Sequence, residues 1–300
     1  MTGPPERVER IVDAALSCSI RSCEQATGGR IAETYLLALD GEPSRAVCKI
    51  GGLSIRTGDV IEPLVLRLVT ATTDLPCPAV LASGSLRDGD ATGDQWALYE
   101  FRDGRPPTPF RSLGESARRR TVEETGAMLG QLHAAHQFDR TGGLGRRDGK
   151  LHLRQPAGLY VPERGRQLAK RHPAVAAGDW QPVLTHGDLF PDNVLVDDDG
   201  AVTAFLDWGN AHVTTAGYAL ARAELRFVDW FRFPSAERQR LRTALCEGYR
   251  QHRPLPPDYR TLGTFYKFLW LGQSLDRHVR NTLTSRGRAQ IRRHLRSLLP

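Results

Sequence analysis

Val8, Ile11, Val12 and Leu16 recur at helical spacing behind Pro4-Pro5, so the chain opens on an amphipathic helix whose first turn tolerates proline. The pattern then switches to strands. Ile20 to Glu24, Ala32 to Leu39 and Arg45 to Ile50 read as three antiparallel strands, broken at Thr27-Gly28-Gly29 and at Asp40-Gly41-Glu42-Pro43, both turn-forming. Helical spacing returns over Val60 to Thr70, with Ile61, Leu64, Val65 and Leu68 on one face. Ala79 to Ser83 and Gln95 to Phe101 add two strands, which predicts a five-stranded sheet. Helices dominate afterwards. Thr121 to His136 carries Glu123 and Glu124 in its first turn. Gly142 to Lys150 reads as a loop and Pro162 to Arg171 as a short helix. Four further helices are expected over Gly217 to Phe231, Ser235 to His252, Asp258 to Thr284 and Arg286 to Leu299.

Between these helical halves lies LTHGDLFPDNVLVDDDGAVTAFLDWGNA, from Leu184 to Ala211. His186, Asp188 and Asn193 stand in H-x-D-x-x-x-x-N spacing, a pattern in which the aspartate accepts a hydroxyl proton and the asparagine reaches a metal ion. Val194-Leu195-Val196 and Val202 to Leu206 are short β-prone runs around Asp197-Asp198-Asp199-Gly200. A hairpin there would bring Asn193 and Asp207 back to the same end. Phosphoryl transfer needs positioning and charge neutralisation more than covalent help. One amide and one carboxylate suit Mg²⁺, which takes few protein oxygens beside phosphates and waters. Lys49, in AVCKI, sits on the opposite strand face from Cys48 and Ile50. It is one of four lysines (Lys49, Lys150, Lys170, Lys267) among 41 basic residues, which makes a point-charge amine there conspicuous.

HGDLFPDN followed by FLDWGN resembles the aminoglycoside phosphotransferase and choline kinase family of small-molecule kinases, relatives of the protein kinases. The resemblance implies an α+β, two-lobed protein-kinase-like fold: a five-stranded antiparallel sheet lobe over residues 1–102 and a larger helical lobe over 103–300, with ATP between them. It implies Asp188 as the base, Asn193 and Asp207 as Mg²⁺ ligands and His186 as a structural orienter in the catalytic loop. Lys49 would contact the α- and β-phosphates and pair with Glu62, ahead of the Leu-Pro-x-Pro marker in Asp74-Leu75-Pro76-Cys77-Pro78. Gly28 and Gly29 would form the phosphate loop. Glu100, Phe101 and Arg102 would form the adenine hinge, with the Glu100 carbonyl and Arg102 N–H as partners, before a lobe boundary at Arg105-Pro106-Pro107-Thr108-Pro109. Gly187 replaces the arginine usual in protein kinases, which favours the small-molecule branch. One departure stands out: Thr214 to Ala221 lacks the Gly-Asp-Pro segment and following aspartate that anchor the family's acceptor helices.

Composition adds limits. With 300 residues, 40% hydrophobic and 25% charged, the chain can bury a substantial core. It has no apolar run near the ~20 residues a membrane helix needs, and its N-terminus does not resemble a secretory signal, so a cytoplasmic location is expected. The five cysteines form no C-x-x-C pair. His133 and His136 lack a further carboxylate for metal binding and read as structural. The charge of +7 is uneven: residues 212–300 hold 17 Arg or Lys against 6 Asp or Glu, or +11, which leaves 7 − 11 = −4 for the rest. Nucleic acid is not favoured as a partner, because the arginines from Arg286 to Arg296 fall on a polar helix face opposite Ile291, Leu295 and Leu298. The expected partners are ATP and a small-molecule hydroxyl acceptor, with neutral or less cationic acceptors ranked above polycationic ones because the last third is basic. A hydroxylated antibiotic leads. A metabolic acceptor (choline, an amino alcohol or a sugar) is the alternative, followed by nucleotide binding without turnover. The sequence alone specifies no oligomeric state.

Overall fold

The computed structural model describes residues 4–26, 32–54, 56–86, 95–154, 181–273 and 285–298. The expected phosphate-loop glycines Gly28 and Gly29, and the short helix expected over Pro162 to Arg171, lie outside the described residues.

The first helix, α1 (Glu6–Ala15), buries Val8, Ile11 and Val12. Strands β1 (Ile20–Gln25), β2 (Ala32–Leu39), β3 (Arg45–Gly51), β4 (Val80–Ser85) and β5 (Gln95–Glu100) form a five-stranded sheet ordered β1-β2-β3-β5-β4, antiparallel throughout. Alternation along β3 divides its work. Ala46, Cys48 and Ile50 are buried against α1 in one core cluster, while Val47 and Lys49 face the other side, as the sequence pattern requires. Helix α2 (Glu62–Thr72) follows with Pro63 in its first turn, and buries Glu62, Val65, Leu66 and Val69. Leu64 and Leu68, expected on the inner face, are only half-buried. The helix packs on the turn after Asp207 as well as beside the sheet, and this rotates Glu62 inward.

Beyond β5 the chain runs into α3 (Glu115–Ala135), which starts earlier than the apolar spacing suggests. Arg118 explains the difference. It is buried, donates to the carbonyls of Phe110, Arg111 and Leu113, and pairs with Glu237, so a residue that reads as surface lies inside. Helix α3 packs at backbone contact on a later helix, α5 (Ser235–Arg250): a Cβ at Gly248 would stand 1.8 Å from the Glu123 carbonyl oxygen.

The segment expected as a loop is a hairpin, β6 (Gly142–Arg147) and β7 (Lys150–Arg154), within a four-stranded sheet. Its glycines have little intrinsic strand preference. The pairing comes from β11 (His212–Thr215), distant in sequence, which also pairs with β8 (Pro182–Thr185). The hairpin of β9 (Val194–Val196) and β10 (Val202–Phe205) forms where expected.

Helix α4 (Ala216–Glu224) begins at a Thr215 cap, whose hydroxyl accepts the Tyr218 N–H, and continues into a π-helical turn, Leu225–Asp229. Two more helices, α6 (Pro257–Gln273) and α7 (Ser285–Leu298), follow α5. A buried polar cluster joins α4, α5 and α6. Lys267 donates to Glu224 at 2.6 Å and Asp229 at 2.7 Å, Tyr259 donates to Glu224 at 2.6 Å, and Arg242 pairs with both acids. Burial raises the Glu224 carboxyl, but Lys267 and its other partners outweigh this, so its pKa lies below the usual carboxylate range. His133 and His136 take structural places: His133 Nδ1 lies 3.0 Å from the Tyr249 hydroxyl, and His136 Nε2 lies 2.9 Å from Thr72 Oγ1. All five cysteines are free thiols. Among the described residues no helix is long and apolar enough to cross a membrane.

Candidate active site

The β9–β10 hairpin places Asn193 at the entry of one strand and Asp207 just past the exit of the other, and the Leu206 N–H donates to the Asn193 carbonyl at 2.9 Å. The proline-rich marker before β4 fastens the same end, since the Phe205 N–H donates to the Pro76 carbonyl at 2.8 Å. Asp207 has φ 64° and ψ 63°, a left-handed conformation that is uncommon for a residue with a Cβ. Such strain is held by surrounding structure. The next residue, Trp208, is fully buried, donates its N–H to Glu62 at 3.1 Å, and lies with its ring 4.5 Å from that of His186.

His186 fixes the loop from below. Its Nε2–H donates to the Leu206 carbonyl at 2.8 Å and its Nδ1 accepts the Asp188 N–H at 3.2 Å. Both ring nitrogens are thereby used by the neutral form, and burial pushes the imidazole down to about 4. The ring is fully buried, so it positions the loop and does not face a reactant. Gly187, with φ 84°, passes so close to the following turn that a Cβ would lie 1.7 Å from the Asn210 carbonyl oxygen. That contact is a physical reason for glycine where protein kinases carry arginine. Gly187→Ala is expected to displace the loop and lower kcat by at least ~10²-fold, since small misplacements of reacting groups are costly. An activity within a few-fold of wild type in a steady-state assay would show that the loop tolerates the shift.

Lys49 Nζ donates to both Glu62 oxygens at 3.0 Å and lies 3.5 Å from Asp207 Oδ1. Burial works against its charge, but Glu62 and Asp207 outweigh burial, so the ammonium's pKa is raised and it stays charged. Asn193 Nδ2 donates to the Asp188 carbonyl at 2.8 Å, which leaves Oδ1 as its side-chain acceptor. Lys49, Glu62, Asn193 and Asp207 line one cavity of about 410 Å³ with Glu100, Phe101 and Arg102. Leu36 and Val47 from the sheet, with Leu195 and Leu206 from the hairpin, give it apolar walls. The Arg102 guanidinium donates to Glu100 Oε1 and the Thr203 carbonyl, each at 3.1 Å, tying the strand exit to β10.

This cavity can hold a nucleotide: an apolar slot at the strand exit, a buried ammonium and oxygen donors at the far end. Among the described residues no three His, Cys, Asp or Glu side chains gather for a metal. An ion there would rest on Asn193 Oδ1 and the Asp207 carboxylate, a donor set that fits Mg²⁺ completed by phosphate and water.

Asp188 sits beside this cavity, 35% exposed at its side chain, with Oδ1 3.3 Å from Arg222 Nη2. Sequence reasoning missed Arg222 and its neighbour Arg226. The available signal was their i, i+4 spacing on the helix immediately after the strand that follows Asp207.

A family model described as the phosphotransferase enzyme family matches residues 22–262. The chain belongs to the phosphotransferase enzyme family. It is a phosphotransferase that takes an alcohol group of a small molecule as acceptor. Its fold is that of other structures of small-molecule kinases. A thermostable mutant of aminoglycoside phosphotransferase APH(4)-Ia, in ternary complex with AMP-PNP and hygromycin B, aligns with TM-score 0.60 at 18% identity over 98% of this chain and 99% of that one. A microcompartment-associated aminopropanol kinase aligns with TM-score 0.63 at 15% identity, over 97% and 94%. Macrolide 2′-phosphotransferase MphH from Brachybacterium faecium aligns with TM-score 0.55 at 16% identity, over 99% of each. No curated protein matches the chain. At these identities the neighbours establish the α+β kinase-like fold, and the family assignment rests on the family model.

Proposed function

We propose that the chain transfers the γ-phosphoryl group of ATP, with Mg²⁺, to a hydroxyl of a small molecule, with the two lobes meeting after Arg102. One observation carries this reading: Lys49, Glu62, Asn193 and Asp207 line a single cavity, and Asn193 is bonded to the backbone of Asp188 at its edge. The adenine lies against the main chain of Glu100 to Arg102. Lys49, held by Glu62, receives the α- and β-phosphates. Asp188 accepts the proton of the acceptor hydroxyl as its oxygen bonds to the γ-phosphorus. The bond from that phosphorus to the β,γ-bridging oxygen breaks, and ADP leaves. Mg²⁺ held by Asn193 and Asp207 would supply charge neutralisation at the phosphate oxygens. A cytoplasmic location, where ATP is supplied, accompanies this reading.

For the acceptor, the arginines beside Asp188 favour molecules that are not polycations, because a cluster of ammonium groups would meet guanidinium charge. An aminoglycoside is therefore a poor fit. A hydroxylated antibiotic with few amines remains the leading choice, and a metabolic acceptor is the second reading, of which the arginines favour an uncharged sugar over choline or an amino alcohol. The test is an ATP-consumption screen across hydroxylated antibiotics and metabolites, read by mass spectrometry. One or more compounds gaining a phosphate is the expected result; ATP consumption without any phosphorylated product would overturn it.

A further inference from the structure

Two guanidinium groups share one wall beside Asp188. Arg222 lies with its guanidinium 5.4 Å from the centre of the Trp270 ring, and Arg226 lies 5.3 Å from the same ring, one helical turn further on. Arg226 also lies 4.2 Å from the Phe190 ring centre and 5.1 Å from that of Trp230. Phe190 belongs to the catalytic loop itself, two residues beyond Asp188, and Arg226 lies in the π-helical turn, a feature frequent at functional sites.

These cations are unevenly compensated. Arg222 is paired with Asp188, but its Nε is buried and has no hydrogen-bond partner. Among the described residues Arg226 makes no hydrogen bond or ion pair; its contacts are aromatic faces, and the charges of Asp188 and Asp192 act on it only at longer range. Burial pushes it down to about 10, still charged at neutral pH. A guanidinium has five N–H donors; Arg226 is half-buried and none of its nitrogens is among the buried atoms without a partner, so they remain accessible to a ligand. Arg226 opens onto a second cavity, of about 580 Å³, whose walls include Phe110, Phe190, Trp230 and Phe231. Asp192, on the same cavity, is engaged by the Thr108 hydroxyl at 2.7 Å.

We propose that this second cavity is the acceptor site and that the acceptor is a hydroxylated carboxylic acid with an apolar, ring-sized body, its carboxylate taken by Arg226. The inference rests on the kinase reading for the hydroxyl's fate, but the anion site stands on its own contacts. The charges on the cavity favour a monoanion: Arg111 and Arg226 against Asp192 leave one positive charge for one carboxylate. The aromatic walls take the rest of the molecule, and the carboxylate anchors the acceptor with its hydroxyl toward Asp188.

The test uses matched triples of a hydroxy acid, its methyl ester and the corresponding amino alcohol, beginning with phenyllactate, methyl phenyllactate and phenylalaninol. Phosphate transfer and the melting temperature of the full chain with AMP-PNP are both measured. In at least one triple, kcat/KM for the acid should exceed that for the ester by at least ~10-fold, because removing one partner of a desolvated charge pair is costly. R226M, which keeps the buried apolar stem, should erase the difference, and R226K should retain part of it. Preference for esters or amino alcohols, or an acid preference that survives R226M, would overturn the anion site and leave the kinase intact. Acids that raise the melting temperature through Arg226 but never gain phosphate would do the reverse. Acids that neither bind nor react would sink the inference.

Discussion

Asp188→Asn is expected to lower kcat by about 10²–10⁴-fold, the usual contribution of a positioned proton acceptor, while KM for ATP changes by less than about threefold. The division follows from placement. Asp188 does not line the nucleotide cavity, whereas Lys49 and Asp207 do. Asparagine keeps an oxygen for Arg222 and fills the same space, so the melting temperature should move by only a few degrees. Lys49→Met is the contrasting variant. It leaves Glu62 buried without its ammonium partner and should raise KM for ATP together with the loss in kcat, because the interaction is made with the donor before transfer. Steady-state ADP release at varied ATP, with an acceptor found in the screen, separates the two patterns. If D188N retained more than about a tenth of kcat, the hydroxyl proton would have to go elsewhere, and the assignment of Asp188 as base would fail.

What the sequence made legible was local. Strand alternation around Cys48 and Ile50, the hairpin between Val194 and Phe205, and the spacing of His186, Asp188, Asn193 and Asp207 each depend on neighbours a few positions away, so short-range pattern carried them. Long-range pairing did not show. Strand β6 is rich in glycine and exists because β11 lies beside it. Arg118 is inside because Glu237 and three carbonyls receive it. The scarcity of lysine singled out Lys49, and it would have singled out Lys267 equally, whose buried pairing with Glu224 and Asp229 holds helices together. Within the basic last third, the sequence pattern marks only Arg286 to Arg296 as a solvated face. Part of the remaining charge points inward: Arg222 reaches Asp188, Arg226 enters the second cavity, and Arg242 and Lys267 neutralise buried acids. Net charge along a sequence does not say which side of the surface its members occupy, and for the acceptor that distinction decides the substrate class.

Acid is expected to begin unfolding the protein above the pH at which its carboxylates titrate, and the main cause is its buried histidines. Burial pushes His133 down to about 3 and His186 to about 4, and holds His212 well below its ordinary value of 6.5. In the unfolded chain all three take up protons near pH 6.5; in the folded chain they cannot. Below that pH the unfolded state therefore binds more protons, and stability falls by about 1.4 kcal/mol per pH unit for each histidine, or about 4 kcal/mol per unit for the three. The fall ends for each group only at its folded pKa, near pH 4 for His186 and near pH 3 for His133. Glu224, whose folded pKa is lowered, withdraws its own contribution as pH falls below its ordinary value of 4.5, so it adds to the loss at the acid end. About 10 kcal/mol is thus lost by pH 4, so for a native state in the lower part of the typical range of about 5–15 kcal/mol unfolding is expected between about pH 5.5 and 4. Melting curves by circular dichroism from pH 7 to 4.5 should show a steep descent starting near pH 6. His133→Gln, which can keep a hydrogen bond to the Tyr249 hydroxyl without titrating, should remove about a third of the slope while lowering stability at pH 7. A melting temperature that stays level down to pH 5 would mean that these imidazoles protonate in place. Activity should fail over the same range, because the loop that aims the base is held through the His186 Nδ1 acceptor for the Asp188 N–H and is lost with the fold.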